Sequence, residues 1–144
     1  MGVALQYTNI ARDLAVDAKN VGGGGGRCYV PSSWLKKEKL TPESFIHGLT
    51  STTLSTDDFF QKKLSSIRSR LLDRSFALYE RNRSAIEELP REARAPMRVA
   101  VESYMQIARE LRRPGFAVKA GRATVPGWRR VWVGWWGMVG RRKG

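Results

Sequence analysis

The chain has 144 residues, 42% hydrophobic and 27% charged, which is typical of one folded domain and argues against wholesale disorder. Its single cysteine, Cys28, excludes an internal disulfide, and with His47 as the single histidine the sequence argues against zinc clusters and Ser/His or Cys/His catalysis. The net charge of +13 is concentrated in residues 91–144, where thirteen Lys and Arg accompany three acidic residues. Such a surplus favours an anionic partner, and diphosphates, anionic lipids and nucleic acids all qualify.

The first predicted element is a helix over residues 3–19, because apolar residues recur there at helical spacing. These apolar residues are Val3, Tyr7, Ile10 and Leu14. After a glycine run the chain reads as extended and is broken at Pro31. Thr41 as N-cap and Pro42 at the first helical position then predict a short helix to about Leu49.

A longer helix is predicted next, with Ser55 and Asp58 placed for N-terminal capping and Pro90 stopping it after about Leu89. Its apolar side is predicted to be Phe60, Leu64, Ile67, Leu71 and Leu78. Another helix is predicted to start near Pro96 and to end at the sequence RRPG. Its buried stripe is predicted to be Met97, Val101, Tyr104, Ala108 and Leu111.

The tail carries Trp128, Trp132, Trp135 and Val139 at helical spacing between basic clusters. No strand alternation and no internal repeat is visible, so the predicted fold class is all-α. The N-terminus lacks a basic start followed by an apolar run, so we expect no signal peptide. The apolar tract 131–139 is far shorter than the ~20 residues of a membrane span. We expect an intracellular protein, soluble or peripherally membrane-associated.

Four polar residues of the first helix share one face. Asn9, Asp13 and Asp17 lie one turn apart, and Gln6 precedes Asn9 by three residues. The two carboxylates repel each other, and a hard divalent cation such as Mg²⁺ would relieve that repulsion. Because the helix is otherwise apolar nearly all round, we expect it to be buried with this stripe facing a cavity that contains ions. The alternative is a solvated DxxxD on a surface helix.

The run ALQYTNIARDLAVDA at 4–18, continuing as GRCYVPSSWL at 26–35, resembles the second aspartate-rich motif of the phytoene and squalene synthase family, particularly fungal phytoene synthases. That family pattern is Q-x-x-N-x-x-R-D-x-x-x-D followed by G-R-x-Y-x-P. The matching residues are Gln6, Asn9, Arg12, Asp13, Asp17, Gly26, Arg27, Tyr29 and Pro31. Residues 101–126 are similar to the last helices of the family, and residues 128–136 resemble the end of the fungal domain.

The resemblance implies that the chain is the C-terminal part of an all-α isoprenoid-synthase bundle. It implies the head-to-head condensation of two geranylgeranyl diphosphates to phytoene, through the cyclopropyl compound prephytoene diphosphate, in carotenoid biosynthesis. It also implies Mg²⁺, with Mn²⁺ as a substitute. By the match, the metal ligands would be Asn9, Asp13 and Asp17. The diphosphate or pocket contacts would be Gln6, Arg12, Arg27, Tyr29 and Tyr104.

The chain departs from the family pattern in two ways. The family's first aspartate-rich motif has no counterpart here, so we expect residues 1–144 to be a partial phytoene synthase domain that lacks its upstream part and makes no phytoene alone. Residues 21–25, VGGGG, separate Asp17 from the Gly-Arg pair and are interpreted as an insertion. A phosphate-binding P-loop is disfavoured, because no strand precedes the glycines and no Lys-Ser follows them.

Two other interpretations stay open. One is a squalene-synthase-like enzyme, although those proteins read differently after the aspartates. The other is a non-catalytic basic helical module that binds anionic membrane or nucleic acid through residues 91–144. The tail tryptophans favour core packing over a peripheral membrane contact, and no nucleic-acid partner is expected. A bifunctional protein with an upstream lycopene cyclase region would be a membrane protein.

Overall fold

The computed structural model describes residues 1–19, 25–54, 56–113 and 116. Within these residues the chain is helical and contains no strand, which confirms the predicted all-α class. The helices are α1 (Gly2–Lys19), α2 (Ser32–Lys37), α3 (Pro42–Thr50), α4 (Asp58–Asn82), the 3₁₀ helix Arg83–Glu88 and α5 (Arg91–Leu111). The predicted helix of the tryptophan-rich tail lies outside the described residues, as do residues 20–24 of the glycine-containing segment.

Helix α1 packs against α3, α4 and α5. Its inner face can approach them closely because it is built from alanines, which keep the backbones near each other. Ala4, Ala11, Ala15 and Ala18 are each at most 3% exposed. On α4, the hydroxyl of Ser75 donates to the Ala4 carbonyl oxygen at 2.7 Å and lies 2.8 Å from the Thr8 hydroxyl. The expectation that α1 is buried nearly all round is wrong at Val3, which is 63% exposed.

The starts of α3 and α4 follow local capping rules. Thr41 caps α3, and its side chain and that of Ser44 exchange hydrogen bonds with each other's backbone N–H, with Pro42 at the first position as predicted. At α4 the cap is Asp57, whose carboxylate accepts from the Phe60 N–H at 2.9 Å. The predicted capping pair, Ser55 with Asp58 three residues later, is therefore wrong, because the cap is Asp57, two positions after Ser55. Ser55 itself lies outside the described residues.

Two further helix boundaries differ from the predictions. Helix α4 ends at Asn82 and continues as a 3₁₀ helix, so Pro90 is not what ends it. Helix α5 starts at Arg91 with Pro90 at its N-cap, and Pro96 lies inside it. Since a proline near the N-terminus removes at most one helical hydrogen bond, packing tolerates Pro96 there. The buried stripe of α5 also differs from the prediction, because Met97 is 42% exposed and Met105, missing from the predicted stripe, is fully buried.

Helix α2 was not predicted from the sequence. It begins directly after Pro31 and has only six residues, too few for apolar periodicity to be visible. Leu35 anchors it, with 1% of its surface exposed. Among the described residues, no helix is both long and apolar enough to span a bilayer.

Candidate functional site

The polar stripe of α1 lines a cavity of about 270 Å³. The cavity wall consists of Gln6, Asn9, Ile10, Arg12, Asp13, Asp17, Tyr29 and Tyr104. All the residues predicted for the site are thus brought to one place except Arg27, whose side chain is exposed and does not line the cavity. Their location together supports the cavity that the sequence predicted, whereas their individual roles stay predictions.

Arg12 and Asp13 form the central contact of this cavity. The guanidinium donates to both carboxylate oxygens, from Nε to Oδ1 at 2.9 Å and from Nη2 to Oδ2 at 2.6 Å. The side chains are only 13% and 12% exposed, and the hydrogen bond to Asp13 raises the pKa of Arg12 further above its already high value. Arg12 therefore reaches Asp13 from the flank of the stripe, so a divalent cation is not the only positive charge that can relieve the repulsion between the carboxylates.

Tyr104 connects α5 to this ion pair. Its hydroxyl donates to Asn9 Oδ1 at 2.5 Å and accepts from Arg12 Nη1 at 3.5 Å. The Arg12 Cζ also lies 5.9 Å from the centre of the tyrosine ring. A network of hydrogen bonds therefore runs from Asn9 through Tyr104 and Arg12 to Asp13. Nothing in the local spacing predicts it, because Asn9 and Tyr104 are 95 positions apart.

Tyr29 reaches the cavity because the chain returns to the end of α1. The Arg27 N–H donates to the Asp17 carbonyl oxygen at 2.9 Å. A Cβ at Gly26 would lie 2.2 Å from the Ala18 carbonyl oxygen, so that backbone approach excludes any larger residue. The close contact between the two backbone segments therefore requires glycine at position 26, directly before Arg27.

A second cavity, of about 230 Å³, lies between α3 and the start of α4. His47 and Asp57 are its ionisable residues, and the Asp57 carboxylate is engaged in capping α4. The cavity therefore offers no second acidic site among the described residues.

The family model of squalene/phytoene synthases matches residues 1–129. The chain belongs to the squalene/phytoene synthase family. The bifunctional lycopene cyclase/phytoene synthase of Leptosphaeria maculans is 51% identical over 135 residues, which cover 94% of this chain and 21% of that protein. The protein of the same name from Phaeosphaeria nodorum is 49% identical, and the match covers 94% of this chain and 20% of that protein. The one from Neurospora crassa is 44% identical, and the match covers 91% of this chain and 20% of that protein.

This squalene/phytoene synthase family member therefore spans about a fifth of the length of the curated relatives it matches. No solved structure matches the chain. The all-α architecture of the described residues is consistent with the helical fold of the family.

The donors in the cavity fit a hard divalent cation. No group of three or more His, Cys, Asp or Glu residues forms a metal site within the described part of the chain. Mg²⁺ does not need one, because it commonly binds one or two carboxylates and takes its other ligands from substrate phosphates and water. Asp13, Asp17 and the amide oxygen of Asn9 supply such a set on one wall. In this arrangement Arg12 already holds both oxygens of Asp13.

Proposed function

We propose that the chain forms part of a phytoene synthase of carotenoid biosynthesis, which joins two geranylgeranyl diphosphates head to head. The observation that carries this proposal is that Asp13, Asp17 and Arg12 line the same cavity. Membership of the squalene/phytoene synthase family supports a prenyl diphosphate substrate. The names of the fungal relatives favour phytoene over squalene as the product.

The chemistry of this reaction explains the mixture of charges. Loss of diphosphate from an allylic carbon leaves a carbocation, and negative charge builds up on the departing oxygen. Positive groups held in place beforehand stabilise that charge at no reorganisation cost. Arg12 brings positive charge to the cavity, and its fork of N–H donors matches phosphate oxygens. A bound Mg²⁺ would supply further neutralisation of the diphosphate.

We infer that Asn9, Asp13 and Asp17 hold the metal. Their spacing along one face of α1 sets them one helical turn apart, and the packed alanine face fixes the position of the helix. Tyr104 orients Asn9 through the hydrogen bond to its amide oxygen. Gln6 and Tyr29 line the same cavity as contacts for the diphosphate or its chain, and Arg27 follows Asp17 closely enough to be recruited.

We further propose that residues 1–144 form part of one phytoene synthase domain, with residues 21–25 as an insertion. The supporting contact is the backbone hydrogen bond from Arg27 to Asp17, which joins the two ends of the segment independently of what lies between them.

The test is an exchange into a full-length relative. The segment of the Leptosphaeria maculans protein that matches this chain is replaced by residues 1–144, and the hybrid is incubated with geranylgeranyl diphosphate and Mg²⁺. Extraction and chromatography should find phytoene, and chelation of the metal should abolish it. A folded hybrid that makes none, beside an active parent, would refute the proposal. Squalene formed from farnesyl diphosphate would favour the squalene-synthase alternative.

A further inference from the structure

The ion pair of Arg12 and Asp13 occupies the oxygens that the proposed metal site needs. Both carboxylate oxygens of Asp13 accept hydrogen bonds from one guanidinium, at 2.9 and 2.6 Å. Bidentate pairs of this kind are stronger than single contacts, and little water screens this one because both side chains are about seven-eighths buried. A cation that approaches Asp13 must therefore compete with Arg12.

Separation of the pair would leave Arg12 with few partners. Its remaining contacts are the Tyr104 hydroxyl at 3.5 Å and the Tyr104 ring at 5.9 Å, both weaker than a carboxylate. A buried guanidinium that loses its counter-ion is strongly destabilised unless another anion takes its place. A diphosphate entering the same cavity is such an anion, since phosphate oxygens accept the same two-pronged contact.

We propose that Arg12 is the internal counter-ion of the metal site and exchanges Asp13 for the substrate diphosphate, so that diphosphate and metal each favour binding of the other. This inference rests on the proposed function of the site. It adds a positioning role for Arg12 in the unliganded protein, where it keeps Asp13 from binding metal before a diphosphate is present. Such coupling is reciprocal between the two ligands by thermodynamic necessity.

Tyr104 fits this exchange as the residue that receives Arg12 when the pair opens. Its hydroxyl already lies within reach of Arg12 Nη1, and the same hydroxyl holds the Asn9 amide oxygen. Movement of Arg12 would therefore reach a second predicted metal ligand on α1. The network couples Asn9 and Asp13, two neighbouring members of the stripe, to the position of one guanidinium.

The experiment measures the binding of Mn²⁺ alone, in place of Mg²⁺, to the 144-residue chain by titration with electron paramagnetic resonance of the free ion. Arg12→Gln removes the competing guanidinium, so the affinity of this variant for Mn²⁺ should be about tenfold or more above that of the wild type. Arg12→Lys keeps the charge but loses the two-pronged contact, so it should show a smaller gain. In an Asp13→Asn background the gain from Arg12→Gln should vanish.

The matched control is Arg98→Gln. Arg98 also holds a carboxylate in two-pronged fashion, with both contacts to Glu87 at 2.9 Å, but at the protein surface. The Arg98→Gln variant should bind Mn²⁺ with the affinity of the wild type. Repetition at 0.15 and 0.5 M salt separates direct competition, which persists, from a general charge effect, which salt screens. Circular dichroism verifies folding, and Arg12→Lys carries the test if Arg12→Gln does not fold.

The outcomes separate this inference from the proposed function. If Arg12→Gln binds Mn²⁺ no better than wild type while Asp13→Asn or Asp17→Asn weakens binding, the exchange is refuted and the metal site stands. If none of these variants alters Mn²⁺ affinity, or none of the proteins binds Mn²⁺, both proposals fail. A gain for Arg12→Gln equal to that for Arg12→Lys at both salt concentrations would also contradict the two-pronged competition.

Discussion

The two faces of α1 hold their polar groups in different ways. On the packed face, the Thr8 hydroxyl and the Ala4 carbonyl oxygen both meet Ser75 of α4, and these residues are at most 1% exposed. On the cavity face, Asp13 and Asn9 are held by Arg12 and Tyr104, which themselves line the cavity. The packed face therefore has partners that only unfolding can replace, whereas the cavity face has partners that a ligand can replace.

A helix made mostly of small residues can contribute one face to the core and the opposite face to a binding site. The alanines bring α1 close enough to α4 for hydroxyl contacts, and so fix the helix without bulky side chains. That rigidity lets the opposite face leave its charges in a cavity. Changes to the cavity face should mainly alter activity, and changes to the packed face should mainly alter stability.

The largest expected effect tests the cavity face. In the full-length hybrid, Asp13→Asn and Asp17→Asn should each lower phytoene formation by several orders of magnitude, at least the roughly 10²–10³-fold lost when a prearranged charge-stabilising group is removed. Asn has the shape of Asp, so helix content by circular dichroism should not change. The control is Asp73→Asn, because Asp73 is an exposed aspartate of α4 that pairs with Arg112, the residue directly after α5. Near-normal product from both site variants would contradict the assignment.

The second prediction concerns the packed face of α1, where a larger side chain replaces an alanine. Ala15 is 2% exposed, and Ala15→Leu would force side chains into the contact with neighbouring helices. We expect a loss of about 1–3 kcal/mol in the free energy of unfolding, measured by urea denaturation. Ala77→Leu on the exposed side of α4 is the control and should be nearly neutral. Equal stability of the two variants would mean that the alanine face does not set the helix spacing.

A smaller effect is expected from the hydroxyl contact itself. Ser75→Ala removes the donor to the Ala4 carbonyl oxygen and the partner of the Thr8 hydroxyl. One intramolecular hydrogen bond contributes about 0.5–1.5 kcal/mol net to stability, so unfolding should occur at slightly lower urea. Mn²⁺ binding should stay unchanged, since Ser75 lies on the other side of α1 from the cavity. Ser65→Ala, at an exposed position of α4, supplies the control for helix propensity.

The smallest effect is expected from shortening the segment that follows α1. Deletion of residues 21–25 should preserve the Arg27 to Asp17 hydrogen bond and the fit of Gly26 against Ala18. Halving the length of a closed loop lowers its entropic cost by about 0.6 kcal/mol, so urea denaturation should show a slight gain. A loss above ~1 kcal/mol would instead indicate that the deleted residues make native contacts.

The sequence by itself determined which residues could share a face. Helical spacing placed Gln6, Asn9, Asp13 and Asp17 on one stripe, and the structure has them on one cavity wall. The sequence also predicted Thr41 as the cap of α3 and Pro42 as its first residue, because capping is a contact between residues three positions apart. Such features are local, so a short window of sequence contains all the atoms that decide them.

The tertiary structure decided which partners those faces met. The pairing of Asn9 with Tyr104 and of Thr8 with Ser75 joins residues from different helices, and no periodicity in either helix specifies it. The start of α5 at Arg91 was not specified by the local rule either, because a proline suits the first helical position but Pro96 lies inside the helix. Arg12 could have pointed to solvent from the flank of the stripe. It turns to Asp13 because burial beside Tyr104 leaves the carboxylate as its strongest available partner.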